Sequence, residues 1–183
     1  TVTIAPATIN AAGSLVNLQA NNDITITNAI AMTTSSIGIT MRAGRDILIN
    51  ANVSTNNGAI TMTANDNGAT GANRDAGTGD IVFGAVSLNS GTAATSLTIG
   101  SSSVAPFSPG SILIGGTASI TGDGGITLTG TVNSVTTNNA LTLNSTGTTT
   151  ITGAVGGTLA LSSLTTNAGG TTNINGGGII TTG

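Results

Sequence analysis

The sequence contains no cysteine, histidine, tryptophan, tyrosine, lysine or glutamate, and its only aromatic residues are Phe83 and Phe107. Without cysteine there is neither a disulfide framework nor thiol chemistry, which suits an exported protein. Acid–base work falls to six scattered aspartates. Glycosidase and lyase chemistries need convergent carboxylates, or a carboxylate-bound metal with a basic residue to take a proton, and nothing in the sequence converges in that way. The expectation is a non-enzymatic chain with no cofactor and no metal. Three cations, Arg42, Arg45 and Arg74, leave a net charge of −3 and no field for a phosphate backbone, so nucleic acid is not an expected partner. No apolar run reaches the ~18 residues of a membrane-spanning helix, which argues against membrane insertion. The first residues lack the basic start and apolar core of a signal peptide, so the chain reads as a mature or internal segment.

What is present is a repeated alternation. Val16-Asn-Leu-Gln-Ala followed by Asp23-Ile-Thr-Ile is echoed about 23 residues later by Ile39-Thr-Met-Arg-Ala followed by Asp46-Ile-Leu-Ile. Ile60-Thr-Met-Thr-Ala repeats the first phrase and Asp80-Ile-Val-Phe the second. Within each phrase Val16, Leu18, Ala20, Ile24 and Ile26 share one side, as do Ile39, Met41, Ala43, Ile47 and Ile49, which is the two-residue period of a strand with one buried face. Glycine, threonine, asparagine and serine with little charge could indicate disorder, but the wealth of isoleucine, valine and threonine in alternation favours order. The pattern predicts an all-β fold, a right-handed parallel β-helix (β-solenoid) of about six to eight coils. Strand–crossover–strand connections are right-handed in about 98 per cent of cases, and the six-residue repeat of left-handed solenoids is absent. Residues 1–183 form a single segment, with inserted loops at 65–79 and 100–110. The prolines at 106 and 109 are expected to bar the second insertion from the ladder. After residue 115 the phase stays open: Ile126 to Leu128 is the first or the second strand of its coil, depending on whether Ala118 to Ile120 closes one coil or opens the next.

One coil cannot fold alone. Burying an isoleucine or leucine contributes roughly 1.5 to 3 kcal/mol, whereas fixing one residue's backbone costs about 1 to 2 kcal/mol, and few side chains in each coil point inward. Stacking supplies the shared columns and an axial hydrogen-bond ladder. Residues 1–13 read as a partial opening coil, and no charged or helical cap is legible at either end. Uncovered ends are adhesive strand edges, so end-to-end self-association or continuation into a longer solenoid is expected.

Four groups of residues are candidates for function. Asp23, Asp46 and Asp80 each precede the second strand of a coil and predict a column along one corner that ends early, with Ser111 or Gly125 at that place in later coils. They are either a row of cation ligands or, more simply, caps on their own turns with Arg45 beside them to supply charge. Asp66, Arg74 and Asp75, in the first insertion, are candidates for contact with a glycan or protein, such as a host or matrix component, because loops on rigid scaffolds often carry binding determinants. Phe107, between two prolines, is a further candidate contact or a plug on the coil wall. Finally, Thr25 with Thr27, Thr61 with Thr63, Thr127 with Thr129 and Thr150 with Thr152 suggest an outward threonine array, the usual ice-binding surface of a solenoid. Such an array must be unbroken, and along the second strand the matching positions are Leu48, Val82 and Leu113.

Gly44-Arg-Asp-Ile-Leu-Ile-Asn-Ala-Asn-Val, Asn57-Gly-Ala-Ile-Thr-Met-Thr-Ala and Gly79-Asp-Ile-Val-Phe resemble the repeats of filamentous-haemagglutinin-like adhesins, the products of two-partner or autotransporter secretion in Gram-negative bacteria. The resemblance covers most of the chain. It implies a right-handed β-helix, an extracellular or cell-surface location, and a role as an adhesin rod or filament building block. The alternative is a ligand-binding module using the inserted loops.

Overall fold

A computed structural model describes residues 4–69, 74–93, 95–102 and 108–183 of the chain. A helical turn, α1 (Pro6–Asn10), comes first, and the chain then cycles through three short strands at a time. The first circuit is β1 (Val16–Ala20), β2 (Ile24–Ile26) and β3 (Ile30–Ser35); the next is β4 (Ile39–Ala43), β5 (Ile47–Ile49) and β6 (Val53–Asn56). There follow β7 (Ile60–Ala64), β8 (Gly79–Phe83) and β9 (Ser87–Asn89), then β10 (Leu97–Ser101), β11 (Pro109–Ile114) and β12 (Ala118–Thr121). The remaining strands are β13 (Ile126–Thr129), β14 (Val132–Ser134), β15 (Ala140–Asn144), β16 (Thr148–Ile151), β17 (Ser163–Thr166) and β18 (Thr171–Ile174).

Each of the first five circuits feeds one strand to each of three parallel sheets, the arrangement of a β-solenoid; the sixth supplies only β16 and β17 and the last only β18, with Val155 and Ile179 continuing the second sheet as single bridges. The first sheet runs β1-β4-β7-β10-β13-β16-β18, the second β2-β5-β8-β11-β14, and the third β3-β6-β9-β12-β15-β17. Register is set by the alternation. Leu18 lies beside Met41, Met41 beside Met62, and Met62 beside Ile99, while Ile24, Ile47, Ile81, Ile112 and Val132 form the matching column in the second sheet. A one-residue slip would turn every one of these side chains to solvent, which is why the columns hold. Met41, Ile47, Ile49, Ile81 and Phe83 are fully buried, whereas Val16, Leu18 and Ala20 of β1, with a neighbouring strand on one side only, are half-buried.

The phase left open by the sequence is decided by pairing. Ile126–Leu128 lies beside Leu97–Ile99 in the first sheet, and Ala118–Ile120 belongs to the third sheet beside Leu141 and Leu143. The third sheet was not separated from the other two in the sequence reading, and some of its strands carry little signal; β9 brings a single buried apolar residue, Leu88.

Two expectations are corrected. Residues 6–10 are not part of an opening coil: α1 packs on β3, Ile9 is buried in the core, and the Asn10 Oδ1 accepts the Ala31 N–H at 2.8 Å. A helical turn therefore does lie over this end of the third sheet. Proline at the first helical position removes a donor that the helix could not have used, so Pro6 starts α1 where a strand would have suffered. Pro109 in turn is not barred from the ladder. It is the first residue of β11 and lies beside Gly79, with a register irregularity before Ile112; at a strand's first position the missing N–H is tolerated. Pro106 lies outside the described residues.

Candidate functional site: the charged corner

All three arginines and five of the six aspartates fall between residues 23 and 80. The fold draws them to the corner where the first sheet turns into the second, because each strand pair of the first three circuits is joined there by a turn rich in asparagine, aspartate, glycine and arginine.

Asp23, Asp46 and Asp80 stand one above another at this corner. Instead of capping their own turns through the backbone, as the simpler reading of the sequence had it, their Oδ1 atoms each reach to the next circuit; the Asp80 Oδ2 also accepts the Thr78 hydroxyl of its own turn at 3.0 Å. The Asp23 Oδ1 accepts the Asp46 N–H at 3.1 Å, the Asp46 Oδ1 accepts the Asp80 N–H at 2.9 Å, and the Asp80 Oδ1 accepts the Ser111 N–H at 2.7 Å. The next circuit adds a bond between the Ser111 and Thr131 hydroxyls at 2.8 Å. Thr131, not Gly125, continues the column: Val132 pairs with Ile112, whereas Gly125 precedes β13 in the first sheet. The reason for the axial reach is spacing. Strands in a sheet lie about 4.8 Å apart, a distance that a carboxylate spans to a neighbouring N–H.

Stacked carboxylates repel, and Arg45 offsets this. Its Nε donates to the Asp23 Oδ1 at 2.8 Å and lies 3.4 Å from the Asp46 Oδ2. Its bond to Asp23, the largest influence there, holds that carboxyl below the ordinary value of 3.8 even though burial works in the opposite direction. Burial dominates at Asp46 and pushes its carboxyl upward, the Asp80 N–H bond opposing. The same Asp23 bond holds the Arg45 guanidinium above its usual value. Among the described residues no group of three or more histidine, cysteine, aspartate or glutamate side chains could hold a metal ion.

The described parts of the first insertion fold back on this corner. Asp66 is 8% exposed and paired with Arg42 at 2.9 Å; Arg74 is 9% exposed. The Arg74 Nη1 donates to the Asp75 carbonyl at 2.8 Å, its Nη2 to the Gly77 carbonyl at 3.0 Å and the Asn65 Oδ1 at 3.2 Å, and its Nε to the Gly44 carbonyl. Asp75 is exposed. So Asp66 and Arg74 are turned inward into structural contacts, and of the three Asp75 alone is exposed. Phe107 lies outside the described residues.

Asp75 also reaches the rim of a cavity of about 910 Å³ at the end of the stack, where Ile9 of α1 and Leu18, Ile24 and Ile26 form the wall. A shallower notch of about 140 Å³ lies on the outer face of the first sheet between Thr63, Gly100 and Thr129. A side chain at Gly100 would come within 2.7 Å of the Thr129 Cβ, so glycine is what permits the close approach.

That outer face carries residues that the sequence reading overlooked. Thr40, Thr61, Thr98, Thr127 and Thr150 are in register across five adjacent strands, an unbroken threonine column. Thr25 and Thr27 are not part of it, since Thr25 lies in the second sheet beside Leu48. Thr40 and Thr98 were the available signal: each sits one residue after the first apolar residue of its strand, as Thr61 and Thr127 do.

No protein-family model, curated protein or solved structure matches this chain.

Proposed function

We propose that the chain is a non-enzymatic structural segment of a right-handed β-helix of six to eight coils, serving as the rod of a bacterial surface adhesin or as a building block of an extracellular filament. One observation carries the reading. The charged and amide side chains at the corner between the first two sheets, the groups best suited to chemistry, are engaged in holding one circuit to the next, through Asp23, Asp46, Asp80 and Arg45. The resemblance of the repeats to filamentous-haemagglutinin-like adhesins supplies the location, outside the cell or on its surface, and the partner, a further solenoid coil stacked end to end. Contact with a glycan or protein through the inserted loops is the weaker alternative, because Asp66 and Arg74 point into the corner. Electron microscopy of the purified chain, with fibre diffraction, tests the proposal: elongated particles or fibres with a meridional spacing near 4.8 Å support it. Compact particles at high concentration together with turnover of a polysaccharide would sink it.

A second reading rests on the threonine column. A row of five threonines at strand spacing presents hydroxyl and methyl groups on a regular lattice, a surface suited to ordered water. Thermal hysteresis that disappears in Thr98→Lys would favour it, and its absence from the unaltered chain would close it.

A further inference from the structure

The insertion between β7 and β8 leaves the stack at the third circuit, yet its described residues run backward, toward the first. We infer that it is a latch that fastens the first circuit to the stack, with Arg74 as its bolt. The contacts are directional. From the first circuit, the Gln19 Nε2 donates to the Gly68 carbonyl at 2.7 Å, and the Asn22 Oδ1 accepts the Asp75 N–H at 2.6 Å. From the second, Arg42 pairs with Asp66 and the Gly44 carbonyl accepts from Arg74. At the root of the latch, the Asn65 Nδ2 donates to the Ser102 carbonyl at 2.7 Å in the circuit beyond. One glycine makes the fit possible: a Cβ at Gly79 would lie 2.6 Å from the Asn65 backbone nitrogen.

The physical need lies at this end of the stack. β1 and β2 are the outermost strands of their sheets, and β1 buries its inward residues only halfway. A circuit held by one neighbouring circuit opens more readily than one held between two. α1 packs chiefly on β3, and the latch grips the turn that joins β1 and β2. Arg74 suits the role because a guanidinium is a rigid fork of five donors and serves four acceptors from three parts of the chain at once; a lysine ammonium has three donors on a flexible stem.

The chain provides its own reporter. With three arginines and no lysine, trypsin can cut only after Arg42, Arg45 and Arg74, all within the latch and the corner it covers. The test is limited trypsinolysis with hydrogen-exchange mass spectrometry on the full chain and on Arg74→Ala, Arg74→Lys, Asn22→Ala and Gln19→Ala. The inference expects slow cleavage of the unaltered chain and cleavage of Arg74→Ala after Arg42 and Arg45 faster by about tenfold or more, the scale of losing a set of hydrogen bonds to a charged group. Residues 16–26 should lose protection while residues 126–151 keep theirs, and Arg74→Lys should resemble Arg74→Ala. Should Arg74→Ala fail to fold, Asn22→Ala and Gln19→Ala decide the matter, since each loosens the first circuit and leaves the bolt in place. Protection lost evenly along the chain, or unchanged at residues 16–26 in every variant, overturns the inference.

Discussion

The first three circuits and the final third of the chain have the same architecture and fasten it by opposite chemistry. Up to Asp80 the corner between the first two sheets is held by carboxylates reaching along the stack, with Arg45 set against their repulsion. Residues 124–183 contain no charged residue at all. There the Gly130 N–H donates to the Thr152 hydroxyl at 3.1 Å across the same corner, and away from it the Asn167 Oδ1 accepts the Ser145 N–H at 2.8 Å and the Asn139 Nδ2 donates to the Ile114 carbonyl at 2.9 Å. Neutral amides and hydroxyls thus do the same geometric task as the aspartates. The lesson is that a solenoid corner requires an acceptor of the right reach, not a charge. Charge adds strength to each bond and brings repulsion with it. Only the charged part needed an arginine at its corner, and only that part should respond to pH and salt.

Breaking the core should abolish the contrast, because both regions rely on the same apolar columns. Phe83→Ala removes the largest fully buried side chain among the described residues and should cost about 3–5 kcal/mol, with Leu143→Ala at about 2–5 kcal/mol in the neutral region, both read by chemical denaturation. Equal costs would show that the core is indifferent to the corner chemistry around it. Arg45→Ala sharpens the contrast instead. It leaves Asp23 and Asp46 facing each other and should destabilise by about 1 kcal/mol at low salt, less at high salt, with the loss of exchange protection confined to residues 16–56.

Acid provides a finer probe. The Asp23 carboxyl is held below its ordinary 3.8 by Arg45, so its contribution is complete above that value and disappears as the pH falls through the lower, folded value. Asp46 is shifted upward by burial, so the folded state takes up its proton first, and its contribution improves as the pH falls toward 3.8. Thermal unfolding should therefore show little loss, or a small gain, on acidification to about pH 4, and a decline below 3.8 that Asp23→Asn removes. The smallest expected effect belongs to Asp46→Asn. The amide oxygen still accepts the Asp80 N–H and the repulsion is gone, so stability at neutral pH should change by no more than about 0.5 kcal/mol. A large loss in that variant would mean that the charge itself holds the corner.

Much of the strand plan was legible because it depends on the period of two. Val16 to Ile26 and Ile39 to Ile49 announced their buried faces, and the pairing of Leu18 with Met41 and of Ile24 with Ile47 follows from matching those phrases. The third sheet was legible only in part: Ala118–Thr121 alternates, but a strand such as Ser87–Asn89, with one inward apolar residue, has no periodicity to detect. Nor was α1: five residues are too few for a helical period, and Pro6 alone marks its start. Of the candidate site, the aspartate positions could be read from their fixed place before each second strand. The direction in which each carboxylate bonds could not, because a turn cap and an axial rung require the same residue at the same position. The inward turn of Arg74 was hidden for a related reason, since a loop of turn-forming residues looks identical whether it projects into solvent or lies against the stack.

By itself the sequence determined that this chain must stack. Its apolar residues alternate, recur, and are too few in any one stretch to bury themselves, so stability had to come from repetition, and its lack of histidine, lysine, glutamate and cysteine narrowed the chemistry in advance. Tertiary structure alone decided what met whom along the axis: that Asp23 serves the backbone of Asp46, that five threonines align on one face, and that Arg74 closes over the Gly44 carbonyl. Local alternation is a property of neighbours in sequence, whereas those contacts join residues separated by one circuit or more, and their alignment depends on the length of every turn and insertion between them.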